Sequence, residues 1–517
     1  MRSKKAIVNT LAGGLGTLLV GLLQFVGRMV FIQFLSDEYL GISSLFTNIL
    51  SILSLTELGL STAVCFWLYQ PLADGDREKI KAIMHYFRRA YFVIGWVVVL
   101  LGAALLPFLP YLMTGTTELV DVRAVYLLYV LQSAVSYWFW AYKATLLQAD
   151  QKLYIVRFYY VIANVLVTAA QLTSLALFRN FMVYSVIGLF SAILVNLFSA
   201  REVDKRYPYL KEKEYRKLRK DEKKSLFRDV SGMSLFKMNT TIVNSTDNLV
   251  ISAFINVKTV ALYGNYQVII SGISQVAMQL FGGVTATVGN YYTEDTKEHN
   301  EFVFRCIQLL CYWAYTLMGI GMFVCLNPFI RLCFGASRVF SVELVFLQVL
   351  YFMINGFQRT SFIYRDACGL FWKGKVRPVA TAVLNIVISI ALVQYIGLAG
   401  VIAGTIVSWL LTTWWYDPYL IYRQAFSMSP RRYFFGYAKA AILTSALFAL
   451  TVYLSGLLTF GGFGALLVKV LFCMSIPNLG YYLFYRNSEE FAYLKKLGIA
   501  MFEQLRYNKT GKKSRKE

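Results

Sequence analysis

Charged residues are scarce in this sequence, and their scarcity excludes most soluble folds. Asp, Glu, Lys and Arg make up 15% of the 517 residues, whereas a soluble domain usually carries about 25%. A single soluble core stops growing at about 250–300 residues. Uniform hydrophobicity over a chain of this length, with a mean hydropathy of +0.54, therefore indicates that most of the helical surface faces lipid.

The residue types that build metal and catalytic centres are also scarce. Only His85 and His299 are histidines, both in charged stretches, and the seven cysteines lie mostly in apolar runs without a Cys-x-x-Cys pair. No GxxxxGK[ST] motif, which would indicate ATP hydrolysis, occurs in the chain. We therefore expect no enzyme, no metal site and no resident cofactor.

Long apolar runs are abundant, and each is long enough to cross a bilayer. A transmembrane helix needs about 20 mostly apolar residues. The pattern predicts an all-α polytopic membrane protein with about 14 spans. They lie near residues 7–34, 42–69, 87–109, 122–147, 155–178, 182–200, 231–255, 260–290, 303–326, 341–366, 377–396, 398–420, 433–455 and 463–485.

The net charge of +23 is concentrated on alternate connections between these spans. With a cytoplasmic N-terminus, 40 Lys and Arg residues fall on the inner connections, and only Arg123, Arg179, Lys258, Arg331 and Arg338 fall on the outer ones. This asymmetry is what the positive-inside rule predicts. We expect both termini to be cytoplasmic, and we assign the excess charge to the inner membrane face rather than to nucleic-acid binding.

Matching residues recur in the two halves of the chain at a shift of about 220 positions. Val156-Arg157 matches Val376-Arg377, and Tyr142-Lys143 matches Tyr364-Arg365, each pair in corresponding spans. An even number of spans per repeat gives both halves the same orientation. The predicted domains are an N-lobe (1–200), a basic cytoplasmic linker (201–230), a C-lobe (231–420), two extra helices (421–485) and a basic cytoplasmic tail (486–517).

Residues in the first 80 positions resemble a known family. Gly27-Arg28, the segment Phe34–Gly41 and the segment Leu53–Ala63 are similar to the opening of the polysaccharide (Wzx-type) flippases. Those proteins belong to the multidrug/oligosaccharidyl-lipid/polysaccharide (MOP) exporter superfamily. Over the remainder of the chain the resemblance depends on span number, linker position and Asp247-Asn248.

This resemblance implies two six-helix lobes around a V-shaped cavity that opens alternately to each side. It implies transport of an undecaprenyl-diphosphate-linked oligosaccharide across a bacterial cell membrane. The expected partners are this lipid-linked substrate and membrane lipids, with a polysaccharide polymerase and glycosyltransferases as further candidates and no nucleic acid. Without ATP, the energy would come from a coupling cation (H+ or Na+), from the membrane potential or from downstream consumption of the substrate.

Basic and amide side chains inside the spans are the candidates for substrate binding. An ionisable group at membrane depth costs about 2.5–3.5 kcal/mol on insertion scales, so each requires a partner. Guanidinium groups match phosphate oxygens, and the alternative for each arginine is an interhelical ion pair or a position at the membrane surface. The candidates for the diphosphate or sugar are Arg28, Gln24, Arg359, Asn355 and Gln358.

Two carboxylates inside the spans are candidates for counter-charges or coupling-ion sites. Glu57 lies in the second span, and Asp247 lies in the seventh span near the repeat equivalent of Arg28. The alternative functions are a small-molecule drug/cation antiporter of the same superfamily, which requires an acidic cavity, and a lipid II flippase. A membrane glycosyltransferase or polymerase is disfavoured because the predicted external loops are short and contain few carboxylates.

Overall fold

The computed structural model describes residues 2–54, 57, 60–114, 121–212, 216, 218–294, 296–368, 370, 376–458, 462–497 and 499. Side chains are described for these residues except 2–15, 17, 227–229, 231–240, 242–244 and 282–294. Part of the predicted linker (213–215 and 217) and most of the predicted tail (500–517) lie outside the described residues, as do four positions of the Leu53–Ala63 segment.

Helices account for all the regular structure in the described ranges, and these ranges contain no strand. The predicted all-α class is thus confirmed. The α-helices are α1 (Arg2–Phe34), α2 (Asp37–Leu53), α3 (Leu60–Asp74), α4 (Arg77–Leu105), α5 (Leu109–Leu112), α6 (Val122–Trp138), α7 (Ala141–Ala149), α8 (Leu153–Phe178), α9 (Phe181–Arg206), α10 (Lys220–Phe254), α11 (Val257–Glu294), α12 (Lys297–Phe334), α13 (Val342–Phe357), α14 (Arg359–Ala367), α15 (Val376–Ile396), α16 (Leu398–Ile421), α17 (Arg431–Gly456) and α18 (Gly462–Tyr485).

Eight helical segments among the described residues are long and apolar enough to cross a membrane. The chain is therefore a multi-pass membrane protein, and the predicted total of 14 spans stays a prediction. The eight segments are Arg77–Leu112, Leu153–Phe178, Phe181–Arg206, Lys297–Phe334, Val376–Ile396, Leu398–Phe426, Arg431–Gly456 and Gly462–Tyr485.

Large apolar side chains on these helices point outward. On α15, Val379, Val383 and Val387 are 54%, 55% and 57% exposed. Residues four apart lie on one face of a helix, so the three valines form a continuous apolar stripe. Soluble proteins rarely expose such patches, whereas a stripe of this kind is stable against lipid tails.

Three predicted spans are each divided into two helices. The span at 42–69 is divided between α2 and α3, the span at 122–147 between α6 and α7, and the span at 341–366 between α13 and α14. Trp140 caps α7 with a φ of 58°, in the left-handed region. Gln358 caps α14 at a position 218 residues later, which agrees with the predicted repeat shift of about 220.

The chain forms two compact units, and the first comprises residues 1–272 and 378–405. One core in this unit surrounds Phe31, Phe46 and Tyr126, which are at most 1% exposed and bring α1, α2 and α6 together. A second core surrounds Val64 and Phe87 on α3 and α4. These two cores fix the helix that carries Arg28 and the helices on either side of Glu57.

The second compact unit comprises residues 273–377 and 406–517. Its long helix α12 packs against the two extra helices α17 and α18. The hydroxyl groups of Thr316, Thr444 and Tyr481 on these helices lie 2.7–3.0 Å apart, buried. The extra helices are thus integral parts of this unit, and the predicted lobe boundaries stay a prediction.

Candidate functional site

Arg28 is held near the end of α1 by polar groups of α11. Its Nε atom donates to Asn265 Oδ1 at 3.0 Å, and its Nη2 atom donates to the Ala261 carbonyl at 3.2 Å. Asn265 is 237 positions away in the chain, so this contact is made only by the tertiary fold. Two hydrogen bonds in different directions fix the plane of the guanidinium group.

Gly264 provides the space that the guanidinium group occupies. A Cβ atom at this position would lie 2.8 Å from Arg28 Nη2, which is closer than real Cβ contacts. Gly41 allows a second close approach to the same helix, because its Cβ would lie 2.0 Å from the Val257 carbonyl oxygen. A side chain at either glycine would therefore collide with an atom of the neighbouring helix.

The positive charge of Arg28 has no carboxylate partner within 4 Å among the described residues. The Asp37 carboxylate stabilises this charge electrostatically from a longer distance. The direct contacts of the guanidinium group come from one amide oxygen and one carbonyl oxygen. Gln24, one turn earlier on α1, is exposed.

Asp247 is buried in a cluster of oxygen atoms. Its Oδ1 atom lies 3.2 Å from Thr405 Oγ1, and its Oδ2 atom lies 3.5 Å from the Tyr263 hydroxyl group. Asn385 Nδ2 donates to the same Thr405 hydroxyl oxygen at 2.9 Å, while Asn385 Oδ1 accepts from Thr246 at 3.1 Å. No described cationic side chain lies within 4 Å of Asp247.

The oxygen atoms around Asp247 are the type of ligand that hard cations prefer. They comprise the carboxylate itself, the hydroxyl groups of Thr405 and Tyr263, and the Val401 carbonyl, which lies 3.2 Å from Thr405 Oγ1. The described residues contain no cluster of three or more His, Cys, Asp or Glu side chains that could hold a metal. A cation bound here would thus depend on one carboxylate and neutral oxygens.

Arg28 and Asp247 contact different sides of α11. Arg28 contacts Ala261 and Asn265, which lie one turn apart on one face, whereas Asp247 contacts Tyr263. Tyr263 is two residues after Ala261, a rotation of about 200° around the helix axis. The structure therefore brings both sequence-predicted charges onto one helix but does not pair them.

Glu57 lies between α2 and α3 and accepts hydrogen bonds from hydroxyl groups. The Tyr91 hydroxyl donates to Glu57 Oε1 at 2.6 Å, and Ser61 Oγ lies 3.4 Å from the same oxygen. No described cationic group lies within 4 Å of this carboxylate. The carboxylate is thus stabilised by neutral donors rather than by Arg28.

Gln358 lies in the second unit, and its side chain is fully buried at the junction of α13 and α14. Its Nε2 atom donates to the Trp414 carbonyl at 2.6 Å, and its Oε1 atom accepts from Trp409 Nε1 at 3.0 Å. Proline has no N–H group, so Pro418 cannot donate to the Trp414 carbonyl within α16. Gln358 supplies the missing donor, and its role in substrate binding stays a prediction.

Arg359 begins α14 directly after this junction. Its Nε atom is buried and has no hydrogen-bond partner among the described residues. Asn355, one turn earlier at the end of α13, is half-buried. The two residues belong to the second unit, so the amide and guanidinium groups predicted for substrate binding are distributed over both units.

Comparisons with known proteins agree with this architecture. Residues 14–172, which include Arg28 and Glu57, match the MatE family model. Among solved structures, an inward-facing multidrug resistance MATE family transporter of the MOP superfamily has a TM-score of 0.63 at 14% identity, covering 83% of this chain and 96% of that chain. The Vibrio cholerae MATE transporter VcmN has a TM-score of 0.58 at 14% identity, with coverages of 83% and 98%.

The lipid II flippase MurJ, in an inward closed conformation, has a TM-score of 0.64 at 15% identity, covering 93% of this chain and 99% of that chain. The chain has the MATE and MurJ fold. No curated protein matches the sequence. The likeness therefore extends over nearly the whole fold, and at 14–15% identity to these three structures it shows the fold alone.

Within this fold, sequence reasoning missed several polar partners of the predicted residues. Asn265 and Thr405 contact Arg28 and Asp247. Asp417, buried on α16, accepts from Arg365 Nη1 at 3.0 Å and from Arg377 Nη1 at 3.1 Å. A lone polar residue in an apolar run was the available signal in each case, and Asp417 stands in such a run directly before Pro418.

Proposed function

We propose that this protein is an alternating-access flippase that moves an undecaprenyl-diphosphate-linked oligosaccharide to the outer leaflet of the bacterial cytoplasmic membrane. The Arg28 guanidinium group is the observation that carries the proposal. It is held in a fixed plane without a carboxylate partner among the described residues. A planar guanidinium is suited to bidentate contact with phosphate oxygens. Arg359 is the second candidate cation for the diphosphate.

The roles of the other predicted residues follow from this substrate. Gln24 and Asn355, near the two arginines in sequence, are proposed to contact sugar or phosphate, and Gln358 positions the α13–α14 junction. The chain would span the membrane 14 times with both termini cytoplasmic, and its two lobes would expose the substrate site alternately. It would modify no bond of the substrate, so we expect transport without enzymatic activity.

A coupling cation at Asp247 is the second part of the proposal. One carboxylate close to hydroxyl and carbonyl oxygens suits either H+ or Na+. Because Asp247 and Arg28 contact opposite sides of α11, a shift of that helix on cation binding would move the phosphate-binding group. Cation binding and substrate release would then be linked through one element.

Two related functions are favoured by particular comparisons. The MatE match and the MATE structures favour a drug/cation antiporter, which would use the carboxylates Glu57 and Asp247 to attract a cationic compound. The MurJ likeness favours a lipid-linked substrate. We prefer the lipid-linked oligosaccharide because no described carboxylate lies within 4 Å of the Arg28 guanidinium group, and both carboxylates already receive hydroxyl hydrogen bonds.

The test is flipping of a lipid-diphosphate-linked oligosaccharide by the purified protein in liposomes, measured by accessibility of the sugar to an external lectin. Arg28→Ala removes a charge-assisted contact of about 1.5–3 kcal/mol per hydrogen bond, so the initial rate should fall at least about tenfold. Arg123→Ala, which removes an exposed arginine of α6, should leave the rate unchanged. Flipping by Arg28→Ala at the wild-type rate would refute the proposal.

A further inference from the structure

The first unit contains a cavity of about 440 Å³ between α2, α6, α9 and α10. Ten residues line it: seven carry a hydroxyl group, one carries an amide and two are apolar. None of these lining residues is charged. The composition is unusual for a membrane-embedded cavity, in which each polar group must find a partner.

Four of the seven hydroxyl groups of this cavity donate their hydrogen atoms within the protein. Thr47 Oγ1 donates to the Ser43 carbonyl and Ser51 Oγ donates to the Thr47 carbonyl, each at 2.8 Å. Ser136 Oγ donates to the Ser133 carbonyl at 2.6 Å. A hydroxyl oxygen retains two acceptor sites after it donates. The walls therefore present acceptors on both α2 and α6.

Two longer side chains complete the same wall. The Tyr129 hydroxyl donates to Ser43 Oγ at 2.8 Å, and Gln132 Nε2 donates to the Gly188 carbonyl at 3.2 Å. Both donors are thus directed into the protein, and the Gln132 amide contributes another acceptor oxygen. These bonds also hold α6 against α2 and α9, so the acceptors have fixed positions.

An acceptor-rich, uncharged cavity selects among the parts of a lipid-linked oligosaccharide. A phosphate group carries only acceptors at neutral pH and would find no cation and few available donors here. A cationic compound would find no carboxylate. A sugar carries several hydroxyl groups, each of which can donate to a wall oxygen, so sugar hydroxyls are the ligand that fits.

We infer that this cavity binds the sugar portion of the transported lipid through its serine and threonine oxygens, apart from the arginine contact with the diphosphate. The inference rests on the proposed flippase function and assigns the sugar to a site within the first unit. If the cavity binds sugar in this way, the affinity of the protein for the glycosylated lipid exceeds its affinity for the same lipid without sugar.

The experiment compares two probes by native mass spectrometry of the purified full-length protein. The probes are undecaprenyl diphosphate and the glycosylated undecaprenyl diphosphates extracted from the source cells. The Ser51→Ala/Ser136→Ala variant removes two wall oxygens with little change in volume. Ser174→Ala on α8 is the matched control, since this buried serine also donates to a backbone carbonyl, at 2.8 Å, but does not line the cavity.

The double variant should bind the glycosylated lipid about tenfold more weakly, the effect of losing two hydrogen bonds, and bind undecaprenyl diphosphate as the wild type does. Ser174→Ala should change neither affinity, and Arg28→Ala should weaken both. Equal affinity of the wild type for the two lipids, or an unchanged sugar preference in the double variant, overturns this inference alone. A wild-type protein that binds neither lipid overturns the proposed function together with it.

Discussion

At the residue scale, the Arg28 guanidinium group can occupy its position because Gly264 has no side chain. In Gly264→Ala the new Cβ would lie 2.8 Å from Nη2, the mobile end of a flexible side chain. The guanidinium group should therefore move while the helices stay packed. We expect at least about a tenfold loss of flipping rate, by analogy with losing one charge-assisted hydrogen bond, with a melting temperature within a few degrees of the wild type.

Gly272→Ala on the same helix is the control for this prediction. Nothing lies within 4 Å of a Cβ at that position, so flipping and thermal unfolding should both match the wild type. A Gly264→Ala protein that flips normally would show that the precise position of Arg28 is unimportant.

Asp247 gives a second prediction at the residue scale. Asp247→Asn keeps the size of the side chain and an oxygen that can accept from Thr405 and Tyr263, but removes the charge that a cation requires. We expect the variant to fold and to lose the stimulation of flipping by an imposed Na+ or H+ gradient. Flipping in liposomes, measured with and without each gradient, identifies the ion. Full stimulation in the variant would exclude Asp247 as the coupling site.

At the scale of the helix, Gln358 donates to the Trp414 carbonyl, which Pro418 leaves without a donor inside α16. Gln358→Leu would leave both the Trp414 carbonyl and the Trp409 N–H without their partner. An unsatisfied buried polar group costs about 1–3 kcal/mol, so the variant should unfold several degrees below the wild type in a thermal melt. Gln148→Leu, an exposed position on the corresponding half-helix α7, should have little effect.

The approach of α2 to α11 gives another prediction at this scale. The Cβ of Gly41→Ala would lie 2.0 Å from the Val257 carbonyl oxygen, and backbone cannot rotate away as a side chain can. Overpacking of this kind costs about 1–3 kcal/mol or more, so the yield of folded protein and its melting temperature should both fall. Gly21→Ala, with nothing within 4 Å of its Cβ, should behave as the wild type. Equal melting temperatures would show that α2 can shift freely.

At the scale of the whole molecule, the sequence predicts properties that depend on averages and misses those that depend on single contacts. The all-α membrane fold follows from apolar runs of about 20 residues, which are insensitive to any one side chain. The helix ends at Trp140 and Gln358 were not predicted. The left-handed backbone of Trp140 and the hydrogen bond from Gln358 to α16 do not change the hydropathy of the sequence.

In the candidate site, too, some features could be predicted from the sequence and others could not. Arg28 and Asp247 were found because a charge in an apolar run is conspicuous and costly. Their partners Asn265 and Thr405 were not found, because one is 237 and the other 158 positions away in the chain, and no local pattern connects them. Sequence reasoning thus located the charges, whereas the hydrogen bonds that orient them required the tertiary structure.

The orientation of the whole chain is the property on which the transport direction depends, and charge alone predicts it. With 14 spans and a cytoplasmic N-terminus, six spans precede the linker, nine precede the Gly335–Arg338 turn and twelve precede Ser429. Alkaline phosphatase, which is active only outside the cytoplasm, should therefore be inactive when fused after Lys211 or Ser429 and active when fused after Gly335. Green fluorescent protein should give the reverse pattern.

The physical reason for this orientation is the distribution of positive charge. The predicted inner side has 40 Lys and Arg residues and the outer side has five, so the opposite orientation would place most of the positive charge outside, against the positive-inside rule. An active phosphatase after Ser429 would mean an odd number of spans before it, and α17 and α18 would then run opposite to the predicted direction.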